Sequence, residues 1–301
     1  RSMIMLRIIA DSTCDISKED ARKMGIQIVP ISVRFGDEEF LDGVEITHEE
    51  FYTRLAECDE LPKTSQPSPD TFMKVFNEAV AAGDDVLGIF ISSDLSGTYQ
   101  SACLAALDVE EETRKKLYMV DSRSASIGTA LLIREAVKLR DAGVNVSDIA
   151  AACTEMSKYI KLTAVVGSLK YLKMGGRLSG AAAFAGTMLH ITPVVSIEDG
   201  KVVVIGKTRG KKAAEKLMHD KLIKDGLSLT RDFMFGHINC SESLETFINK
   251  SLTYISDVNG NVGVSSIGCS VGTHVGPGTY GIAYVEAAES GMNRESIVKT
   301  A

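Results

Sequence analysis

Val86-Leu-Gly-Ile-Phe-Ile-Ser-Ser-Asp-Leu-Ser-Gly-Thr-Tyr99 passes from a continuous apolar run through a polar turn into the opening of a helix. The run Val86 to Ile91 has no polar alternation. It therefore predicts a strand buried on both faces, which is the mark of a parallel sheet covered by helices. The helix that follows extends to about Leu107, with Ser96 at or next to its N-cap. The backbone N–H groups of Gly97 and Thr98 would then point out of the helix start, where the partial positive charge and the free donors suit an anion. The Ser96 hydroxyl can serve the same anion. Such loops lie at the carboxyl ends of the strands, where open parallel sheets bind their ligands. Taken alone, these residue types serve plain turns and caps equally well.

The same alternation continues on both sides. Leu6 to Ala10 reads as a buried strand, Ser17 to Met24 as a helix stopped by Gly25, and Ile26 to Val33 as a second strand. Thr47-His-Glu-Glu50 is a capping box that opens a helix through Ala56. Ser68-Pro69 places a cap and then proline at the first helical position, with Gly83 past the end. Leu117 to Val120 is another strand, before a long helix ending at Gly143 and a further one, capped by Ser147, to about Ile160. Residues 3–160 therefore predict an N-terminal α/β domain on a parallel sheet.

Residues 161–301 change character. Thr163 to Val166 reads as a strand, followed by a short helix, the turn Met174-Gly-Gly-Arg177 and a small-residue helix, Ala181 to Leu189, capped by Ser179. Val194 to Ile197 and Val202 to Ile205 flank Asp199-Gly200, a strong hairpin signal. Lys211 to Lys224 and Leu244 to Ile255 read as helices, and Phe233 to Ile238, Val262 to Ile267 and Gly281 to Val285 as strands. Hairpins mixed with helices predict a C-terminal α+β domain with a largely antiparallel sheet.

Composition narrows the function. The 301 residues are 45% hydrophobic and 24% charged, with a formal net charge of −7. That supplies apolar material for two cores. The acidic balance argues against nucleic acid, which needs a basic footprint. The six cysteines form no C-x-x-C pair and fit a reducing cytoplasm. No apolar stretch approaches the ~18 residues of a membrane span. None of the five histidines pairs with another at i,i+4, so they read as structural and no metal centre is expected. Gly276-Pro-Gly-Thr-Tyr-Gly281 matches G-x-G-x-x-G, but a strand follows it where a dinucleotide fold needs a helix. Ser96 is not flanked by a G-x-S-x-G elbow, and there is no Walker A lysine loop and no evident carboxylate cluster for Mg²⁺. The alternative reading, a hydrolase using Ser96 and His274 or a phosphotransferase at a cleft between the domains, therefore lacks its motif.

Seven motifs, in order over nearly the whole chain, resemble the DegV family. They are Asp11-Ser-Thr-Cys-Asp15, Leu41-Asp-Gly43, Thr64-Ser-Gln-Pro-Ser68, Leu95-Ser-Gly-Thr-Tyr-Gln-Ser-Ala102, Val120-Asp-Ser122, Tyr171-Leu-Lys-Met-Gly-Gly-Arg177 and Gly272-Thr-His-Val-Gly-Pro-Gly278. The resemblance implies a cytoplasmic, non-catalytic protein with no cofactor. It would hold a long-chain fatty acid, such as palmitate, stearate or oleate, between its domains and present the carboxyl group to a separate fatty acid kinase subunit, which forms the acyl phosphate. It leaves room for a transient contact with a membrane surface. By motif, Thr64, Ser96, Gly97 and Thr98 look like the carboxylate contacts, with Ser65, Arg177, Arg209 and His274 as the surrounding network. The small-residue stretch 181–189 is a candidate wall for the acyl tail.

Overall fold

The quoted strand sits inside the parallel layer. In the computed structural model, which describes residues 5–180, 191–228, 230–255 and 259–287, the chain begins with β1 (Leu6–Asp11), a 3-10 turn over Ser12–Cys14, α1 (Lys18–Met24) and β2 (Ile26–Val29). Ser17 caps α1 by accepting from the Asp20 amide at 3.1 Å, and Gly25 ends it with φ +61°. The expected strand over Ile26 to Val33 is in fact two strands in two sheets. Pro30 lacks the N–H that a continuing ladder needs, and the chain turns there into β3 (Ser32–Phe35). β3 is the middle of a small antiparallel sheet, between β4 (Glu38–Leu41) and β5 (Lys63–Ser65), with α2 (His48–Glu57) inserted. Thr64 and Ser65 of the T-S-Q-P segment belong to this sheet. The capping box of α2 forms as read, with Thr47 and Glu50 bonding reciprocally.

Next come α3 (Pro69–Ala81), β6 (Asp85–Phe90), α4 (Thr98–Thr113), β7 (Tyr118–Asp121), α5 (Ser126–Asp141) and α6 (Val146–Met156). Asn145 caps α6, its side chain accepting from the Asp148 amide at 3.0 Å; Ser147 lies inside the first turn. The parallel sheet has the order β2-β1-β6-β7 and every pairing is parallel. Helices cover both its faces: α5 and α6 pack on Ile8, Leu87 and Val120, while α3 and α4 pack on Ile9, Val86 and Phe90.

The second half supplies β8 (Ile160–Val165), α7 (Lys170–Met174), β9 (Thr192–Glu198), β10 (Lys201–Thr208), α8 (Lys211–Asp225), β11 (Phe233–His237), α9 (Ser241–Leu252), β12 (Val262–Ser266), α10 (Cys269–Val275) and β13 (Tyr280–Val285). The stretch 181–189 lies outside the described residues. These strands form a sheet of order β10-β9-β8-β13-β11-β12, antiparallel except where β11 meets β12. Asp199 and Gly200 make the β9–β10 turn with φ of 48° and 81°, as two-residue primed turns require. Gly272-Thr-His forms the last turns of α10 and is not a loop; only Gly276-Pro-Gly278 turns.

α5 joins the two layers. Its Leu132, Ile133 and Ala136 pack in the core of the parallel sheet, while Ala130 and Leu131 pack with Leu162, Val195 and Ile197 of the second sheet. Its first two turns, Ser126 to Ile133, are buried on every side, as such a sandwiched position requires. No helix among the described residues is long and apolar enough to cross a membrane.

Candidate functional site

The order of the parallel sheet creates a crevice. After β1 the chain moves outward to β2; after β6 it moves the opposite way to β7. The carboxyl ends of β1 and β6 are thus neighbours from which the chain departs in opposite directions, the position where open α/β sheets bind ligands. Asp11 ties the two ends together. Its Oδ1 accepts from the Thr13 amide at 2.9 Å and its Oδ2 from the Ile91 amide at 3.0 Å. Burial pulls its carboxyl above the ordinary range, against those hydrogen bonds.

A cavity of about 100 Å³ opens above these ends and reaches the inner face of the second sheet. That is several times the ~10–15 Å³ one water-sized group needs. Its far wall follows from strand periodicity. Leu162 and Ala164 of β8 line it, opposite Ile197 and Val195 of β9 in register. The alternate residues Val165 and Val194 point the other way, into the core beneath α8 and α9.

Polar groups gather at one part of this lining. Thr64, Ser96, Arg177 and His274 all face the cavity. Thr64 Oγ1 lies 3.0 Å from His274 Nε2. Arg177 donates from Nε to the Leu95 carbonyl at 3.1 Å and from Nη1 to Gly175 at 2.5 Å, which fixes the guanidinium beside the Ser96 loop. Burial, then the Arg177 charge, lowers the His274 pKa to about 4, so the ring is neutral at pH 7. The first glycine of G-G-R gives this ring its room: a Cβ on residue 175 would sit 2.3 Å from His274 Nδ1.

The start of α4 behaves partly as read. Gly97 is the N-cap, with Ser96 before it; the Gly97 amide has no acceptor among the described residues, and Gly97 itself is not among the residues that line the cavity. Gln66 lies so close that a Cβ on Gly97 would meet its Oε1 at 2.1 Å. The buried Thr98 turns toward Ser96: its amide donates to Ser96 Oγ at 3.3 Å, and the two hydroxyls are 2.9 Å apart. Thr98 therefore orients Ser96 and stays out of the lining.

Two expected members stand elsewhere. Ser65 is exposed, because successive residues of β5 face opposite sides and Thr64 takes the inner one. Arg209, just past β10, is exposed and not among the residues that line the cavity. Four buried hydroxyl residues that sequence reasoning did not assign to the site do line it: Thr13, Ser126, Ser270 and Thr279. The D-S-T-C-D motif signalled Thr13, but its neighbours in the fold are invisible in sequence.

The arrangement suits binding an acid with a long apolar tail. It does not assemble a catalytic triad around Ser96. Ser96 bonds Thr98, His274 bonds Thr64, and His274 Nδ1 is buried without a partner among the described residues. A serine nucleophile needs a base that is itself oriented by a third group.

Over residues 5–287 the chain matches a family model described as an uncharacterised protein of the DegV family. A DegV domain-containing protein of Clostridium perfringens is 35% identical over 293 residues, covering 94% of this chain and 99% of that protein. Among solved structures, a DegV family protein from Thermus thermophilus, described by its fatty acid binding, superposes with a TM-score of 0.84 at 30% identity, over 94% of this chain and 100% of its own. A stearic acid-binding protein from Eubacterium ventriosum gives 0.81 at 29%, over 95% and 100%. DegV from Bacillus subtilis, described as a fatty acid binding protein, gives 0.82 at 28%, over 94% and 99%.

Proposed function

This chain belongs to the DegV family, and from that premise we propose that it binds one long-chain fatty acid in the cavity between its two main sheets. The carboxylate sits among Thr64, Ser96, the Gly97 amide, Arg177 and His274, and the tail runs along β8 and β9. The observation that carries this reading is the aliphatic cavity with hydroxyl, guanidinium and imidazole groups gathered at one part of its wall. A buried carboxylate needs donors or it takes up a proton, and each hydrogen bond to it contributes about 1.5–3 kcal/mol. Each buried CH₂ adds about 0.8 kcal/mol. The tail thus supplies most of the affinity and the head sets the orientation. The fatty acid binding described for the relatives from Thermus thermophilus, Bacillus subtilis and Eubacterium ventriosum supports the same ligand class.

The protein itself catalyses nothing in this reading. It presents the carboxyl oxygen to a separate fatty acid kinase subunit, with Arg177 near the mouth to steady the developing acyl phosphate. Denaturing extraction of the purified chain followed by lipid mass spectrometry tests the binding. One equivalent of a C16–C18 acid is expected. An empty protein that, after delipidation, also fails to take up palmitate or oleate overturns it. Presentation is tested with the kinase subunit and ATP: Arg177→Ala should lose acyl phosphate formation more than it loses fatty acid affinity.

A further inference from the structure

Two helix starts meet beside the small antiparallel sheet. His48 is the first residue of α2 and Cys269 the first residue of α10, while buried Asp42 follows β4. Each brings one ligand atom, and these atoms lie within 4.8 Å of one another. Asp42 and His48 are six residues apart but Cys269 lies more than 200 positions on, so no metal-binding spacing was legible in the chain.

The surroundings resemble a prepared coordination shell. His48 Nδ1 lies 3.4 Å from Ser266 Oγ, and its Nε2 has no hydrogen bond among the described residues. Metal-binding histidines are held in this way, one nitrogen anchored and the other left bare. Asp42 is fixed by the Cys269 and Ser270 amides at 3.2 and 3.0 Å and by the Ser270 hydroxyl at 2.6 Å. The Cys269 thiol is itself hydrogen-bonded to the Asp42 carboxylate, which sets the sulfur beside it.

The groups converge on Gly268. A Cβ added to Gly268 would sit 3.0 Å from His48 Nε2, 3.1 Å from Asp15 Oδ1 and 3.5 Å from Asp42 Oδ1. Gly268 has φ −82°, which any residue adopts. The glycine is thus not needed for its backbone; its missing side chain leaves a gap onto which a nitrogen and two carboxylate oxygens converge, beside a sulfur.

We propose that Asp42, His48 and Cys269 form a binding site for a divalent transition metal ion of the zinc type, with Asp15 beside it, that ties helix α10 to the start of helix α2. Mixed N, O and S donors suit Zn²⁺ in tetrahedral geometry, with three protein ligands and a water in the fourth place. Asp15 is placed to accept from that water. On binding, the S–H bond of Cys269 breaks, the sulfur joins the metal as thiolate, and the proton leaves to solvent. Burial and the nearby carboxylates hold this thiol protonated in the metal-free protein; the added positive charge reverses that balance. Because α10 carries Ser270 and His274, occupancy also sets the helix that lines the cavity. The proposal stands apart from the fatty acid reading, since none of the three ligands lines that cavity.

The test uses the full chain, treated with chelator and titrated first with Co²⁺ and then with Zn²⁺. One equivalent of Co²⁺ should bind with a sulfur-to-cobalt charge-transfer absorption, and Zn²⁺ should displace it. Cys269→Ser should abolish that absorption, and His48→Ala should weaken binding by about tenfold or more. His48 is only half-buried at a helix start, so this variant should fold, as circular dichroism would confirm, while losing the rise in melting temperature that Zn²⁺ gives the native chain. Absence of the absorption in the native chain overturns the proposal. So does an unchanged affinity in His48→Ala, which would assign the binding to another cysteine.

Discussion

Thr64 Oγ1 and His274 Nε2 stand 3.0 Å apart across 210 positions of sequence. One comes from the edge strand β5 and the other from helix α10, so the pair exists only when the small sheet and the second half of the chain are docked. With His274 neutral, it is a hydroxyl–imidazole contact that a carboxylate can enter without displacing a charge pair.

Thr64→Ala combined with Ser96→Ala should leave the fold intact and remove two hydrogen bonds to the ligand carboxylate. At about 1.5–3 kcal/mol each, affinity for a long-chain acid should fall about 100-fold or more. Fluorescent fatty acid displacement measures it. Unchanged retention of copurified lipid would count against the assignment of the head group.

His274 makes stability pH-dependent with a definite sign. Its folded pKa is about 4, against about 6.5 unfolded. Between these values the unfolded chain binds the extra proton. This residue should therefore cost up to about 1.4 kcal/mol of stability for each unit that pH falls from 6.5 toward 4. Burial raises the carboxyls of Asp11 and Asp15, which act in the opposite direction. The measurement is therefore the difference between native chain and His274→Gln in denaturant unfolding across that range. A bound carboxylate should raise the pKa of His274, read by NMR of its ring protons.

Gly175→Ala should disturb the site without backbone strain, since this glycine has φ −73°. Its new methyl would press on His274 Nδ1, and overpacking of this kind costs about 1–3 kcal/mol. The expected signature is weaker ligand binding with a modest drop in melting temperature. A crystal structure showing the His274 ring unmoved would contradict it.

Ala164→Phe should shorten the ligand. Ala164 faces the cavity in register with Val195, so a phenyl ring there fills space meant for methylenes. Mass spectrometry of extracted lipid should show a shift toward shorter acids, or loss of ligand. An unchanged C16–C18 profile would place the tail elsewhere.

Much of the local structure needed nothing beyond the chain. Ser17, the Thr47–Glu50 box, Ser68-Pro69 and Asp199-Gly200 act through neighbours a few residues away, so their caps and turns follow from local chemistry. The unbroken apolar run of β6 already required a covered parallel sheet. Other features depended on partners that sequence order does not reveal. Pro30 could be seen to interrupt a strand, but not to send the next strand into a different sheet. Thr64 and Ser65 are chemically alike; only the pairing of β5 with β3 decided which of them faces inward. Gly272 and Gly276 flank His274 and favour a turn, yet α10 forms there, its first amides held by the carboxylates of Asp15 and Asp42. Period-two patterning shows that a strand has two faces, while the docking of two sheets around α5 selects the one that becomes the cavity wall. Caps and turns depend on groups within a turn of the chain, but a cavity is made by surfaces that meet only after hundreds of residues have folded.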